Sequence, residues 1–209
     1  MYLPSPKQAV TDLHALSVTA TSEMSAALCR YCDLLAQWQA RINLVGPKTL
    51  ETVWGRHILD SAQLVPHIPA GATLTDIGSG AGFPALVLAI LRPDLKVTCV
   101  ESDTRKCAFL QTVVRELHLN VRVVNNRIEG YDWAGTDILT ARALASLDNL
   151  TPYLLAAKAV NPLLTAILPK GAQWRDEIIN APQLAELFHV KHVPSHGQPE
   201  AVILILSPR

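Results

Sequence analysis

The chain is short of charge. Lysine, arginine, aspartate and glutamate make up 17% of its 209 residues, against roughly 25% in an average domain. The eighteen basic side chains cancel the eighteen acidic ones. The balance holds in each third of the sequence, so there is neither a basic arm nor an acidic tail. That argues against a broad electrostatic grip on nucleic acid, which is the usual footprint of a basic domain. Four cysteines (Cys29, Cys32, Cys99 and Cys107) are too few for a disulfide framework in a chain this long. They point to a reduced, cytoplasmic protein. No apolar run approaches the ~20 residues a membrane helix needs. The longest candidate, 153–168, is interrupted by Lys158, Asn161 and Pro162. Residues 1–7 lack a basic region followed by an apolar core, so no leader and no membrane partner are expected.

What is present is a large apolar fraction, 49% of residues. It excludes a disordered chain and suffices for one sizeable core. Residues 6–70 read as helical. Thr21 or Ser22 can cap a helix in which Leu28, Tyr31, Cys32, Leu35 and Trp38 recur at spacings of three and four. A second helical run spans 50–64, after Gly46-Pro47 and before Pro66 and Pro69. From residue 73 the texture alternates. Strands are expected at 73–77, 96–101, 121–125, 137–141 and 163–168, with helices at 85–91, 103–117 and 146–160. Residues 188–193 and 201–206 read as a closing antiparallel pair, because the turn between them is too short for a crossover helix. The expected architecture is α/β: a mostly parallel, doubly wound, Rossmann-like sheet over 71–209 with a C-terminal antiparallel hairpin, and a helical cap over 1–70. Ligand should bind at the carboxyl ends of the strands, near the switch in strand order.

Asp76-Ile-Gly78-Ser-Gly80-Ala-Gly82-Phe83-Pro84 is the most informative stretch. Glycines between a strand and a helix let the backbone turn tightly and approach a ligand. Glu101 ends the next strand, where a carboxylate can accept from both hydroxyls of a ribose. Two ligands compete. A dinucleotide fold wants G-x-G-x-x-G, with pyrophosphate over the helix, and Phe83 stands where the third glycine belongs. Asp76 would repel a pyrophosphate. The same acid suits S-adenosylmethionine (SAM), which has no phosphate and carries an ammonium group. The charge argument favours SAM and the class I methyltransferase fold over a nicotinamide-dependent oxidoreductase.

With that loop in place, the sequence resembles the RsmG (GidB) family of bacterial 16S rRNA guanine-N7 methyltransferases, in order over residues 25–206. The resemblance rests on the run from Trp38 to Val45, on Arg56-His57-x-x-Asp60-Ser61, and on the glycine loop. It continues through Asn126-Arg127-Ile128-Glu129, Thr140-Ala-Arg142-Ala-Leu-Ala-Ser146-Leu147 and Leu168-Pro-Lys170-Gly171. The chain departs from the family at Gln39, Ala85 and Pro169. The resemblance implies methyl transfer from SAM to N7 of a guanine in the 530-loop region of 16S rRNA. The partner would be the small ribosomal subunit or an assembly intermediate, and the enzyme a cytoplasmic monomer. Rival readings are a methyltransferase of the same fold acting on another acceptor, and a non-catalytic RNA-binding factor.

The resemblance implies that Gly78 and Phe83 line the cofactor's amino acid and ribose side, with Ile128 and Glu129 bracketing the adenine. The glycine loop and its charge add Gly80 and Asp76, and the general methyltransferase pattern puts Glu101 on the ribose. Arg142 falls at the cofactor–substrate junction as the catalytic candidate. Its bland alternative is an ion pair with Asp137 or Asp148. Arg56, His57, Arg127 and Lys170 are the substrate-side candidates, with Arg175 a further cation. His57 and Asp60 lie three apart on one helical face, where they could equally bind RNA or fix the cap. Asn43 is read as a turn residue. The Cys29-x-x-Cys32 pair, the tryptophans Trp54, Trp133 and Trp174, and the histidines His189, His192 and His196 read as packing or surface residues rather than a metal or stacking site. No metal is expected.

Overall fold

The computed structural model describes residues 3–209; Met1 and Tyr2, part of the segment read for a leader, lie outside it. Helix α1 (Pro6–His14) is capped by the Ser5 hydroxyl and α2 (Ser22–Gln39) by the Thr21 hydroxyl. The expected 50–64 helix is not continuous. A 3₁₀ turn (Pro47–Thr49) precedes a π-helical turn (Trp54–Leu59), the short α3 (Asp60–Ala62) and another 3₁₀ turn (Val65–His67). Apolar spacing over one or two turns does not separate 3.6 residues per turn from the wider π winding. The π turn carries Arg56 and His57 and leads directly into Asp60.

The alternating part follows as β1 (Thr73–Ile77), α4 (Ala85–Leu91), β2 (Lys96–Glu101), α5 (Thr104–Glu116), β3 (Val121–Asn125), β4 (Ile138–Thr140), α6 (Leu147–Val160) and β5 (Thr165–Lys170). Two short helices, α7 (Trp174–Ile179) and α8 (Pro182–Leu187), come next, and the hairpin of β6 (Phe188–Pro194) and β7 (Val202–Pro208) closes the chain. The sequence pattern assigns nothing to 171–187, since helices of six residues are too short to show a period.

The seven strands form one sheet in the order β3-β2-β1-β4-β5-β7-β6. β1 to β5 are parallel, and β7 runs antiparallel to both β5 and β6. Strand order reverses between β1 and β4, so their carboxyl ends flank the switch-point crevice.

One face of the sheet carries α6, α7 and α8, packed through Leu150, Leu154, Trp174 and Leu184. The other carries α4 and α5, over which α1 and α2 lie in the same core. All seven residues of α4, Ala85-Leu-Val-Leu-Ala-Ile-Leu91, are buried. A helix apolar on every side is stable only when covered on every side; the sheet covers one flank of α4, and α2 and α3 cover the rest. Ala85 packs with no exposed surface.

Candidate functional site

The sequence-predicted residues line up along the carboxyl edge of the sheet in strand order. Ile128 and Glu129 follow β3, Glu101 ends β2, the glycine loop follows β1, Arg142 follows β4, and Lys170 ends β5.

At β1 the chain turns through Gly78, Gly80 and Gly82, all at positive φ. Gly78 has a second reason to be glycine: a Cβ there would lie 2.5 Å from Cδ1 of Leu144. Leu144, from the loop after β4, therefore rests directly on the glycine turn across the switch point. The amides of Gly78 and Ser79 donate to the Val100 carbonyl, and that of Gly80 donates to Oε2 of Glu101 at 2.8 Å. These amides are committed to β2, so the loop is poorly furnished to cradle a pyrophosphate.

Asp76 is wholly buried. Its Oδ1 accepts from the Thr140 hydroxyl at 2.8 Å, directly across the β1–β4 register. Its Oδ2 has no partner. Burial pushes the carboxyl up to about 7, against the pull of the Ser79 and Thr140 hydroxyls and of Arg142. An orphaned buried acceptor beside a glycine turn whose Gly78, Ser79 and Gly80 amides are already engaged fits an ammonium-bearing ligand such as SAM better than a phosphate. Glu101 spends its other oxygen on the Asp103 amide, 2.8 Å away. It thus shapes the loop through both of its carboxylate oxygens. Glu129 is exposed and accepts from the Tyr153 hydroxyl at 2.7 Å, on the 3₁₀ turn that also carries Ile128.

Phe83 points into the protein. It is buried against His57, with ring centroids 4.8 Å apart and planes 16° from parallel, and against Tyr31. Tyr31 donates to the Ala81 carbonyl and so ties α2 to the glycine loop.

Arg142 has a side chain 12% exposed. Its Nε contacts Asp60 Oδ2 at 2.8 Å, Nη1 meets His57 Nδ1 at 3.0 Å, and Nη2 donates to the Arg56 carbonyl at 2.8 Å. Its guanidinium lies 5.8 Å from the Phe83 ring centre. The ion pair read as an alternative from sequence exists with neither Asp137 nor Asp148. Asp137 instead accepts from the Thr73 amide. The partner is Asp60, and His57 joins it, so the two residues three apart do share a face and both grip Arg142. A guanidinium has only donors, so His57 Nδ1 must accept. The proton then sits on Nε2 and faces the Thr49 hydroxyl oxygen at 3.0 Å, while that hydroxyl donates to the Gly46 carbonyl. Burial, then the nearby Arg142 and Arg56 charges, push His57 down to about 3, which keeps the imidazole neutral.

Between the ends of β4 and β5 lies a cavity of about 200 Å³. Arg56, Asp60, Arg142, Lys170 and the hairpin turn at Ser195 and Gln198 are among its walls. Lys170 is buried: Nζ donates to the Ala145 carbonyl and to Glu177 Oε2, both at 2.8 Å. The same Glu177 oxygen accepts from the Leu147 amide. Arg56 is exposed at the cavity rim. Arg127 is exposed after β3 and does not line this cavity. Arg175 lies over the Trp174 ring at 4.4 Å.

Sequence reasoning missed Glu177, Leu144, Thr49 and Gln63: Leu144 and Gln63 act through long-range packing, and Thr49 and Glu177 through irregular or short turns that show no period. The turn after α2 is held by Gln39 rather than Asn43: Gln39 accepts from the Leu44 and Val45 amides and donates to the Val45 carbonyl. Trp54, Trp133 and Trp174 are packing residues, and no His/Cys/Asp/Glu cluster fit for a metal occurs among the described residues.

Comparison with known proteins agrees with this geometry. In fold, the chain resembles a SAM-dependent methyltransferase from Aquifex aeolicus (TM-score 0.55, 16% identity, 78% of this chain and 93% of that one). It also resembles a dimethyladenosine transferase from Plasmodium falciparum (TM-score 0.55, 16% identity, 79% and 63%). In sequence it is 41% identical over 193 residues to the ribosomal RNA small subunit methyltransferase G of Ruegeria sp., covering 90% of this chain and 93% of that one. The protein of the same description from Paramagnetospirillum magneticum is 46% identical over 178 residues, 84% of each chain. The family profile described as GidB, rRNA small subunit methyltransferase G, matches residues 24–203, which include the glycine turn, the Arg142 cluster and Lys170. A match that takes in every strand but part of the last, together with this sheet order, makes the chain a member of the rRNA small subunit methyltransferase G (GidB) family.

Proposed function

We propose that the protein transfers a methyl group from SAM to N7 of a guanine in the 530-loop region of 16S rRNA. The observation that carries this reading is the junction at the β1–β4 switch point. There the glycine turn and the orphaned Asp76 oxygen stand on one side, and a buried arginine held through all three of its nitrogens stands on the other. SAM supplies the electrophilic methyl, and its sulfur keeps the electron pair of the broken bond. Guanine N7 carries an in-plane lone pair and no proton, so the chain needs no general base. This fits a site whose histidine is neutral and already bonded through both ring nitrogens.

The protein's task is alignment, which can supply several kcal/mol. Three of the five N–H donors of Arg142 are used within the protein, one on each nitrogen. One N–H on each Nη remains, a pair suited to the O6 acceptor of guanine. Methylation leaves the base with positive charge. Asp60 neutralises Arg142, so the arginine does not add a net positive charge beside the product.

Asp76 serves the cofactor's ammonium, Gly78 and Gly80 its amino acid end, and Glu101 its ribose. Phe83 shapes the pocket from beneath, and Ile128 and Glu129 flank the adenine. Arg56 and Arg127 reach phosphate, while Lys170 forms the cavity floor. Residues 1–70 act as the cap and 71–209 as the methyltransferase unit, in a cytoplasmic monomer. With no net charge the enzyme holds naked RNA weakly, and the folded small subunit or its precursor presents the base. Labelled SAM incubated with small subunits from a deletion strain, followed by mapping of the modified base, tests this. Label at one N7-methylguanine of the 530 loop is the expected result; label elsewhere, or none, overturns the reading.

A further inference from the structure

Gln63 follows Asp60 by one turn and is 6% exposed. All of its amide is engaged. Nε2 faces the Asp60 carbonyl at 3.0 Å, Asp60 Oδ1 at 3.0 Å and the Ser195 hydroxyl oxygen at 2.9 Å. Oε1 accepts from the His196 amide at 2.7 Å. The orientation of this amide is forced: His196 N–H can only donate, and the Asp60 carboxylate can only accept. A flipped Gln63 would set like against like at both ends.

One side chain thus joins three parts of the molecule. It fastens the turn of the β6–β7 hairpin, which walls the cavity at Ser195 and Gln198, to the cap. It also occupies the carboxylate oxygen of Asp60 that Arg142 leaves free; Arg142 takes Oδ2 and Gln63 takes Oδ1. The path runs from hairpin to Gln63, to Asp60, to Arg142 and on to His57 Nδ1. We propose that Gln63 is a positioning residue: it couples the hairpin wall of the cavity to the guanidinium of Arg142, and so sets how tightly the ribosomal substrate is held. The proposal builds on the role given to Arg142 above.

Two variants separate this from simple support of the fold. Gln63→Leu keeps the volume and removes every polar contact. Gln63→Glu keeps the bond from His196 but faces Asp60 with a second carboxylate, which becomes compatible only when protonated. Nitrogen NMR of the His57 ring reads the far end of the path with no ribosome present. In both variants at neutral pH the Nδ1 resonance should move. The KM for small subunits should rise about tenfold, the worth of one charge-assisted hydrogen bond, while SAM affinity measured by calorimetry stays within twofold. In Gln63→Glu both changes should revert as pH falls through the carboxyl's titration, a pH profile that wild type lacks. Wild-type resonance and KM in both variants overturn the proposal, as does a raised KM with an unmoved His57 signal. Should Gln63→Leu not fold, Ser195→Ala removes the hairpin end alone: a severalfold KM rise with intact SAM affinity supports the coupling, and a wild-type KM overturns it. The imidazole signal stands even if the ribosomal substrate has been misassigned, so the two readings fail separately.

Discussion

The carboxyl edge of the sheet is built in two ways, one on each side of the switch point. On the β1–β2 side the groups are carboxylates, and their partners are close in sequence or in the neighbouring strand. Glu101 takes the amides of Gly80 and Asp103, and Asp76 takes the hydroxyl of Thr140. On the β4–β5 side the groups are cations. Arg142 is held by Asp60, His57 and the Arg56 carbonyl, 82, 85 and 86 positions away, and Lys170 by a carboxylate on α7. Among the described residues, the acid side leaves one buried oxygen unsatisfied, while the cation side leaves no buried side-chain atom without a partner. The first side carries an open acceptor. The second holds its cations in a fixed direction, with one N–H on each Nη of Arg142 still to spare.

Removing the cation tests that contrast most severely. Arg142→Ala should lower kcat on small subunits on the order of 10²-fold or more, the typical cost of a lost preorganised donor. It should also destabilise the fold by about 3–5 kcal/mol, because Asp60 is left buried and unpaired. Denaturant titration and single-turnover methylation measure the two effects, and an Arg142→Ala protein as stable as wild type would mean that Asp60 does not depend on the arginine. On the acid side, Gly78→Ala should cost about 1–3 kcal/mol, since it strains a φ of +63° and drives a methyl into Leu144. Its larger effect should be a loss of SAM affinity, read by calorimetry; unchanged affinity would detach Gly78 from the cofactor.

The two sides should also respond oppositely to pH. Asp76 is raised from its usual 3.8 to about 7, so the folded state prefers it protonated. Its contribution to stability is fully present below pH 3.8 and is lost as pH rises towards 7. His57 is lowered from 6.5 to about 3, so the folded state prefers it neutral. Its contribution is fully present above 6.5 and is lost as pH falls towards 3. Between roughly pH 4 and 6.5 the two slopes oppose each other. Asp76→Asn should therefore leave stability rising more steeply with pH than wild type, and His57→Gln should leave it falling. Parallel curves for wild type and both variants would dispose of the idea. The smallest effect belongs to a cation outside the cluster. Arg175→Ala removes only an exposed contact with Trp174 and should change stability by less than about 0.5 kcal/mol.

The same contrast explains how much could be read before folding. β1, α4, β2 and β3 fall on the residues that periodicity, Pro84 and the glycines mark out, and Asp103 caps α5 by accepting from the Arg105 and Lys106 amides. These are local signals, and the acid side of the site comes with them. The cation side is opaque from sequence. Asp60 and His57 share a face of an α-helix, but nothing in the pattern says that the face meets Arg142. Glu177 sits on a helix too short to have a period, and Gln63 acts through a turn 132 and 133 residues later. Even the SAM reading divides this way: Asp76 argues for it locally, whereas the commitment of the Gly78 and Gly80 amides to β2 is visible only once the sheet is assembled.

Helix α4 has no side that could face water. Trimming the chain to its alternating half would strip α2 and α3 from α4 and expose its apolar outer face, so the N-terminal helices are not an accessory that can be detached. Enzymes that carry their target-reading element as a separate module can acquire new targets by recombination. Here the N-terminal helices share one core with the sheet, so changes beside the site have to come from substitutions made in place.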